Sequence, residues 1–462
     1  MTNTKKANIN MLEGSLLSNI ILYTIPIILT SLLQLLFNAA DLVVVGRYCG
    51  ELSVAAVGNC GSITNLIVNL FIGLSVGTGV TVAHALGANK SETVHRLIHT
   101  ALPTAIVSGL IVTVIGVGFA KMFLQLMNTP DTVLPLSTIY MRIYFAGAVF
   151  IMVYNFCASI LRAAGDTKSP LIYLSIAGVI NVVLNIIFVT LFKMNVAGVA
   201  LATTISQGVS AVLVVRALML RTDACKLMLS KMRFYKRQLF DILKIGLPAG
   251  LQGSLFSISN VIIQSSINSF GDILMSGNAA AANIEGFIYV VLNAFHQSAL
   301  NFVGRNMGAQ KYKRISKILW ICLASVIVAG LTVSIIAYLL GPTLLSIYIP
   351  DSAEAVKWGM VRLQYICLPY FLLGLMDVST GALRGMGASI SPMLISVLGI
   401  CGIRIAWIYT IFQIPQYHTP QCLYFSYIVS WTATFICQII AFFIIYRKHT
   451  KRVQNLSQHT FE

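Results

Sequence analysis

Charge is what this sequence has least of. Asp, Glu, Lys and Arg make up 10% of its 462 residues, and only 14 of these are acidic, against about 25% charged residues in soluble domains. With a hydrophobic fraction of 57% and a mean hydropathy of +0.84, this scarcity excludes a soluble globular domain. A soluble core cannot absorb that much apolar surface, whereas lipid can. Histidine is sparse too, at seven residues. Only His95 and His99, at i, i+4, approach a ligand spacing, and they read as the solvated start of a helix. The nine cysteines show no ligand spacing. Six sit inside apolar runs as packing residues, while Cys49 and Cys422, near the ends of their runs, are the pair that a disulfide could join. No nucleophile or metal constellation points to an enzyme, and no cofactor is expected. The first eighteen residues lack the short apolar core and cleavage site of a signal peptide, so the first apolar run is expected to stay in the mature protein.

Apolar runs are what the sequence has in abundance. A hydrocarbon core of roughly 30 Å needs about 20 helical residues, and twelve runs qualify: 17–45, 54–84, 97–120, 134–160, 170–192, 196–220, 240–267, 277–303, 316–340, 357–382, 390–412 and 422–446. If the spans alternate from a cytoplasmic N-terminus, 24 of the 31 basic residues, beginning with Lys5 and Lys6, fall inside. Four fall outside (Arg47, Lys121, Lys193, Lys357), and Arg142, Arg362 and Arg404 lie within or beside spans. One span missed or invented would scramble this asymmetry, so both termini are expected in the cytoplasm. The net charge of +17 has the same origin: dispersed loop cations facing anionic lipid headgroups, not a nucleic-acid surface. The longest inner connection, 221–239, mixes basic residues with Leu, Met, Phe and Tyr and is expected to lie as an amphipathic helix on the membrane.

The chain also repeats itself. Residues 161–170 read LRAAGDTKSP and residues 383–392 read LRGMGASISP, 222 positions apart. Pro26 and Pro248 share that spacing, and Gly87-Ala88-Asn89-Lys90 recurs as Gly308-Ala309-Gln310-Lys311, 221 positions on. The expected fold is an all-α polytopic membrane protein of two pseudo-symmetric six-helix bundles. Residues 1–220 would form the first, 221–239 a cytoplasmic linker and 240–462 the second.

Three carboxylates fall within spans: Asp41, Glu285 and Asp377. Insertion of a charged Asp at mid-helix costs on the order of 2.5–3.5 kcal/mol, so such residues are rarely filler. Each would exchange protons or coordinate a cation, and Arg404 is a candidate ion-pair partner for Glu285 or Asp377. Neither Asp has an acidic twin: 222 positions from Asp377 stands Asn155, and 222 from Asp41 stands Ile263. Around Asp41 the first half is rich in uncharged polar groups. Gln34 and Asn38 precede it on nearly the same helical face, Asn181 and Asn185 lie at i, i+4, and Thr203 and Thr204 follow in the sixth run. Together they suit a hydrogen-bonded network around a protonatable Asp, or an oxygen cage for Na⁺. Glycines 58, 61, 73, 77 and 79 in the second run fit close helix approach.

The two decapeptides, the Pro26–Gln34–Asp41–Gly46 pattern, the GA-containing turns, GVALATTISQ at 198–207 and Arg404-Ile-Ala-Trp407 resemble the multidrug and toxic compound extrusion (MATE) transporters. These belong to the multidrug/oligosaccharidyl-lipid/polysaccharide flippase superfamily. The resemblance covers nearly the whole chain. It implies a V-shaped pair of bundles in the plasma membrane, exporting organic, often cationic compounds in exchange for H⁺ or Na⁺. It also implies a cation site at Asp41, Tyr140, Asn181, Asn185 and Thr203; Gln34, Asn38 and Asn155, read from spacing and the repeat, are the supporting polar groups. Asn185 departs from the family, which typically has Asp there. That weakens a tight Na⁺ site and favours H⁺. Glu285, Asp377 and Arg404 are the second-half candidates, and no metal is expected beyond Na⁺ at the Asp41 site. A monomer among membrane lipids is expected. A lipid-linked precursor or polysaccharide flippase is the alternative, but it would need a basic cleft for a pyrophosphate, and intramembrane Arg and Lys are scarce here.

Overall fold

The computed structural model describes residues 9–350 and 352–458; Lys5 and Lys6 lie outside them. Twelve long helical elements follow one another: α1 Leu16–Cys49, α2 Glu51–Gly87, α3 Ser91–Leu126, α4 in two pieces (Leu134–Ala146 and Ala148–Ala163), α5 Lys168–Leu191, α6 Asn195–Met219, α7 Lys236–Asn268, α8 Asp272–Gly308, α9 Tyr312–Leu339, α10 Ala353–Gly385, α11 Ile390–Gln413 and α12 Pro420–Gln458. No strand occurs among the described residues. Nine of these helices are long and apolar enough to cross a membrane, and α4, bent by 45° at its break, makes a tenth. Helices α7 and α8, at 33 and 37 residues, complete the twelve expected from the apolar runs. They are the more polar pair, and α8 carries buried Asn278, Glu285 and His296.

The repeat is visible in the backbone. Pro26 and Pro248 sit inside α1 and α7, where each removes an N–H from the helical ladder. Gly165 (φ 90°) and Gly387 (φ 87°) close the two copies of the decapeptide turn in the left-handed region, which a side chain rarely adopts. Asn89 and Gln310 both stand at φ 56° in the paired GA turns. Helical irregularities are more individual. Helices α5, α10 and α11 contain π segments at Ile187–Leu191, Leu363–Cys367 and Val397–Gly402. The break in α4 falls at Gly147, where a Cβ would lie 2.7 Å from Cγ2 of Thr204.

The chain divides into two compact units. Of the described residues, the first holds Ile25–Ser254 with Ile9 and Asn10; the second holds Met11–Thr24 and those from Leu255 to Gln458. The start of α1 therefore packs with the second unit, and the first half of α7 packs with the first.

Within the first unit, α2 and α7 meet backbone to backbone. A Cβ on Gly73 would lie 2.2 Å from the nitrogen of Gly250, and one on Gly250 would lie 2.0 Å from the carbonyl oxygen of Leu70. The close approach expected of the α2 glycines occurs at Gly73, Gly77 and Gly79, whereas Gly58 and Gly61 face open space.

The linker differs from its expected form. Instead of an amphipathic helix it has one 3₁₀ turn, Leu229–Lys231, and is tied to α3. The Met228 N–H donates to Nε2 of His99 (3.0 Å), the Arg233 N–H to the His99 carbonyl (3.2 Å) and the Tyr235 N–H to Oγ1 of Thr100 (3.3 Å). Backbone donors that a helix would have satisfied internally find acceptors on α3 instead. His99 is consequently fully buried rather than solvated. Burial works against the charge of Asp223, yet the hydrogen-bonded Arg221 guanidinium holds its carboxyl below the usual range.

Within the second unit, α8 packs on α10 through small residues: a Cβ on Gly277 would lie 2.2 Å from the carbonyl of Ala355. The start of α1 is fastened to α8 and α9. Thr24 and Ser298 share a hydrogen bond of 2.7 Å, and Asn306 donates to the Met11 carbonyl at 2.9 Å. Lys311 and Arg314 each donate to the 11–14 segment at 3.1 Å, reaching the carbonyls of Leu12 and Gly14.

Candidate cation site and the charged clusters of the second unit

Asp41 lies two helical turns before the end of α1, 7% exposed. Opposite it, the i, i+4 spacing on α5 brings Asn181 and Asn185 to one face, both buried, and α6 contributes Thr203. These four side chains form a closed hydrogen-bonded ring. Nδ2 of Asn185 donates to Oδ1 of Asp41 and, at 3.2 Å, to Oδ1 of Asn181. Nδ2 of Asn181 donates to Oγ1 of Thr203 (3.2 Å), whose hydroxyl donates to Oδ2 of Asp41 (3.2 Å). Every donor runs toward Asp41, so the ring suits an ionised carboxylate. Oδ1 of Asn185 is buried without a partner, the one polar atom of the ring left over. The π segment of α5 begins two residues after Asn185, a helical form often found at functional sites.

Tyr140, from the first piece of α4, is half-buried beside the ring. It packs against Val44, Val45, Val189 and Val199 and stacks on Tyr144 with ring centroids 6.3 Å apart. Its hydroxyl makes no hydrogen bond to the ring. Gln34 and Asn38 are exposed and stay outside it. They lie on nearly the right face of α1 but about 10 and 5 Å away along the axis, and the ring occupies a single turn. Asn155 turns back on its own helix, donating to the Ile151 carbonyl at 2.8 Å.

The second unit places its charges differently from the pairing considered for Arg404. Glu285 is held by Arg362 in a two-pronged pair, Nε to Oε1 at 2.7 Å and Nη2 to Oε2 at 2.8 Å. Arg362 also donates to Oδ1 of Asn278, which accepts from the Tyr424 hydroxyl at 3.1 Å. Asp377 is 9% exposed. Its backbone carbonyl accepts from Nδ1 of His296 at 2.7 Å, and the cation whose field reaches its carboxyl is Arg384, seven residues on in α10. Arg404 pairs with neither acid. It donates from Nε to Oγ of Ser430 (2.9 Å) and lies 3.9 Å above the ring of Tyr427. Arg362 and His296 are the buried side chains beside these acids that sequence reasoning did not place there. The available signal for Arg362 was its place among the three basic residues that no loop could claim. All nine cysteines are free thiols, and among the described residues no three His, Cys, Asp or Glu side chains gather as a metal site.

Twelve helices in two related sets, with acids buried inside the spans of each, define a polytopic membrane transporter. A profile of the MatE family matches residues 26–187 and matches again over 248–410. The chain therefore belongs to the MATE family: it is an integral membrane transporter and not an enzyme, and the two matches coincide with its internal repeat. It is 27% identical over 394 residues to the probable multidrug resistance protein YpnP of Bacillus subtilis, covering 85% of this chain and 87% of that one. It is 25% identical to YoeA of the same organism, also a probable multidrug resistance protein, covering 83% and 84%. Among solved structures it is similar to an outward-facing multidrug resistance MATE family transporter of the MOP superfamily. That match has a TM-score of 0.87 at 21% identity, covering 98% of this chain and 99% of that one.

Proposed function

We propose that this protein is a multidrug exporter of the plasma membrane, with both termini cytoplasmic, working as a monomer. It expels organic, often cationic compounds by alternating access in exchange for protons entering at Asp41. Its functional halves are 1–220 and 240–462, joined by 221–239. The observation that carries this reading is the one-way ring around Asp41. With the carboxylate ionised, every hydrogen bond is made and only Oδ1 of Asn185 is spare. A proton arriving on Asp41 turns an acceptor into a donor, and a 180° turn of the Asn185 amide presents its spare oxygen to receive it. Neutralised, Asp41 exchanges its charge-assisted bonds from Asn185 and Thr203 for weaker neutral ones, which loosens the hold of α1 on α5 and α6. A ligand shifts the two access states only by its differential affinity for them.

Na⁺ suits this ring less well. Oxygens of Asp41, Asn181 and Thr203 are of the right hard-donor type, but the amide nitrogen of Asn185 sits between Oδ1 of Asp41 and Oδ1 of Asn181. It stands where a cation would, and the ring offers a single negative charge. The test is efflux of ethidium from energised everted vesicles, with proton and sodium gradients imposed separately, for wild type and Asp41→Asn. Proton-driven efflux lost in the variant supports the reading. Efflux that survives Asp41→Asn unchanged moves coupling to Glu285 or Asp377, and absence of efflux with folded protein in the membrane refutes it.

A further inference from the structure

Arg404 is the buried charge for which the second unit provides no counter-ion. It is 3% exposed. Ser430 is its one hydrogen-bond partner among the described residues, through Nε, and no carboxylate reaches it. Glu285, one of the two acids expected as its partner, is fully engaged by Arg362. Asp377 has Arg384. Glu285, Arg362 and Arg404 thus form a buried group with one positive charge in excess, inside a span where an unpaired charge costs several kcal/mol.

The geometry around Arg404 shows which part of it is free. A guanidinium presents two faces to aromatic rings and an edge of five N–H donors to acceptors. One face is taken by Tyr427 at 3.9 Å, and the ring of Trp431 lies 5.6 Å away. Tyr370 and Tyr427 each pack edge-on against Trp431 at 5.5 Å, fixing this aromatic wall. Ser430 takes Nε. What is left is the pair of Nη nitrogens, which form no hydrogen bond among the described residues. Tyr427 lies about 10 Å along α12 from its Pro420 end, a depth that a small amphiphile or a lipid headgroup can reach.

We infer that the Nη edge of Arg404 is a binding point for an anionic group, a carboxylate or phosphate, borne by an aromatic or amphiphilic ligand. The planar fork matches two oxygens at once. Tyr427 and Trp431 supply the flat apolar surface beside it. The inference extends the export reading, since it adds acids to the substrate class, but it is tested without any gradient and does not depend on the coupling ion.

The test is equilibrium dialysis of 2-naphthoate against the purified protein in phosphatidylcholine nanodiscs, with empty nanodiscs subtracted. The uncharged 2-naphthamide serves as the matched control. Wild type should prefer naphthoate over the amide at least tenfold. Arg404→Gln should erase that preference, and Arg404→Lys, which keeps the charge but not the fork, should retain part of it. Near-ultraviolet circular dichroism establishes that each variant is folded. Replacing some phosphatidylcholine with phosphatidylglycerol separates two sources of the anion. Competition in wild type assigns the place to a lipid headgroup, and its absence assigns it to a free solute. No preference in wild type, or an undiminished preference in folded Arg404→Gln, overturns the inference.

Discussion

Asn185→Asp is the substitution that asks most of the Asp41 ring. It removes the two hydrogen bonds that Asn185 donates, each worth about 1 kcal/mol. It also sets a second carboxylate against the first. At a separation of about 4 Å and an effective dielectric constant near 20, two like charges repel by about 4 kcal/mol. The doubly ionised pair is therefore some 6 kcal/mol worse than the native ring, and the repulsion is relieved either by a proton shared between the acids or by a cation between them. Na⁺ fits that place once the amide nitrogen is gone, with Oδ1 of Asn181 already turned toward it. If Na⁺ recovers even about 1.4 kcal/mol of the repulsion, its affinity rises tenfold. Isothermal titration of purified protein with NaCl against a choline background should show saturable Na⁺ binding in Asn185→Asp, at least tenfold tighter than in wild type. Vesicle efflux should become responsive to a sodium gradient. A folded Asn185→Asp protein that binds Na⁺ no better than wild type would refute the view that the amide stands in for a cation.

Three other outcomes are expected. Arg362→Ala leaves Glu285 buried without its partner and should cost about 3–5 kcal/mol, seen as a large fall in melting temperature; the double change Arg362→Met with Glu285→Leu should recover most of it. His99→Phe removes the acceptor for the Met228 N–H and should speed tryptic cleavage within 221–235 without altering the helical circular dichroism. Asp223 has its carboxyl lowered by Arg221, so its contribution is complete above the ordinary Asp value of about 3.9 and is lost as pH falls through the lowered one. Hydrogen exchange at the Cys225 amide, which donates to Asp223 at 3.0 Å, should lose protection on acidification, and Asp223→Asn should abolish that dependence.

Much of the architecture was legible in the sequence because lipid imposes a simple rule. Each of the twelve apolar runs overlies a helical element, and the duplicated decapeptide marks turns that need glycine at positive φ. Of the candidate cation residues, Asn181 and Asn185 were legible through their helical spacing, which puts both on one face whatever the partner. Gln34 and Asn38 show the limit of that logic, since sharing a face says nothing about depth along the helix axis. The Glu285–Arg362 pair joins residues 77 positions apart, and nothing local in either helix distinguishes Arg362 from Arg404 as the partner. The linker was misread for a related reason. Its composition suits a membrane-surface helix, but His99 and Thr100 offer acceptors that no pattern within 221–235 reveals. The bend in α4 is likewise set from outside, by the room Gly147 leaves for Thr204 of another helix.

The paired left-handed residues bear on how such a chain diverges after gene duplication. Gly50 and Gly271, Gly165 and Gly387, and Asn89 and Gln310 keep the same backbone sign in both copies, and the first-turn acids Glu51 and Asp272 match as well, while the buried Asp41 and Asp377 have no acidic twin. Glutamine is poorly suited to φ 56°, where a left-handed conformation costs roughly 1–2 kcal/mol. The second copy has nonetheless accepted that strain instead of rerouting the turn. Inheritance in this chain therefore acts on the path of the backbone first and on its chemistry second. Ancestral relatives should be recognisable by where the chain reverses direction even after every charged residue has changed.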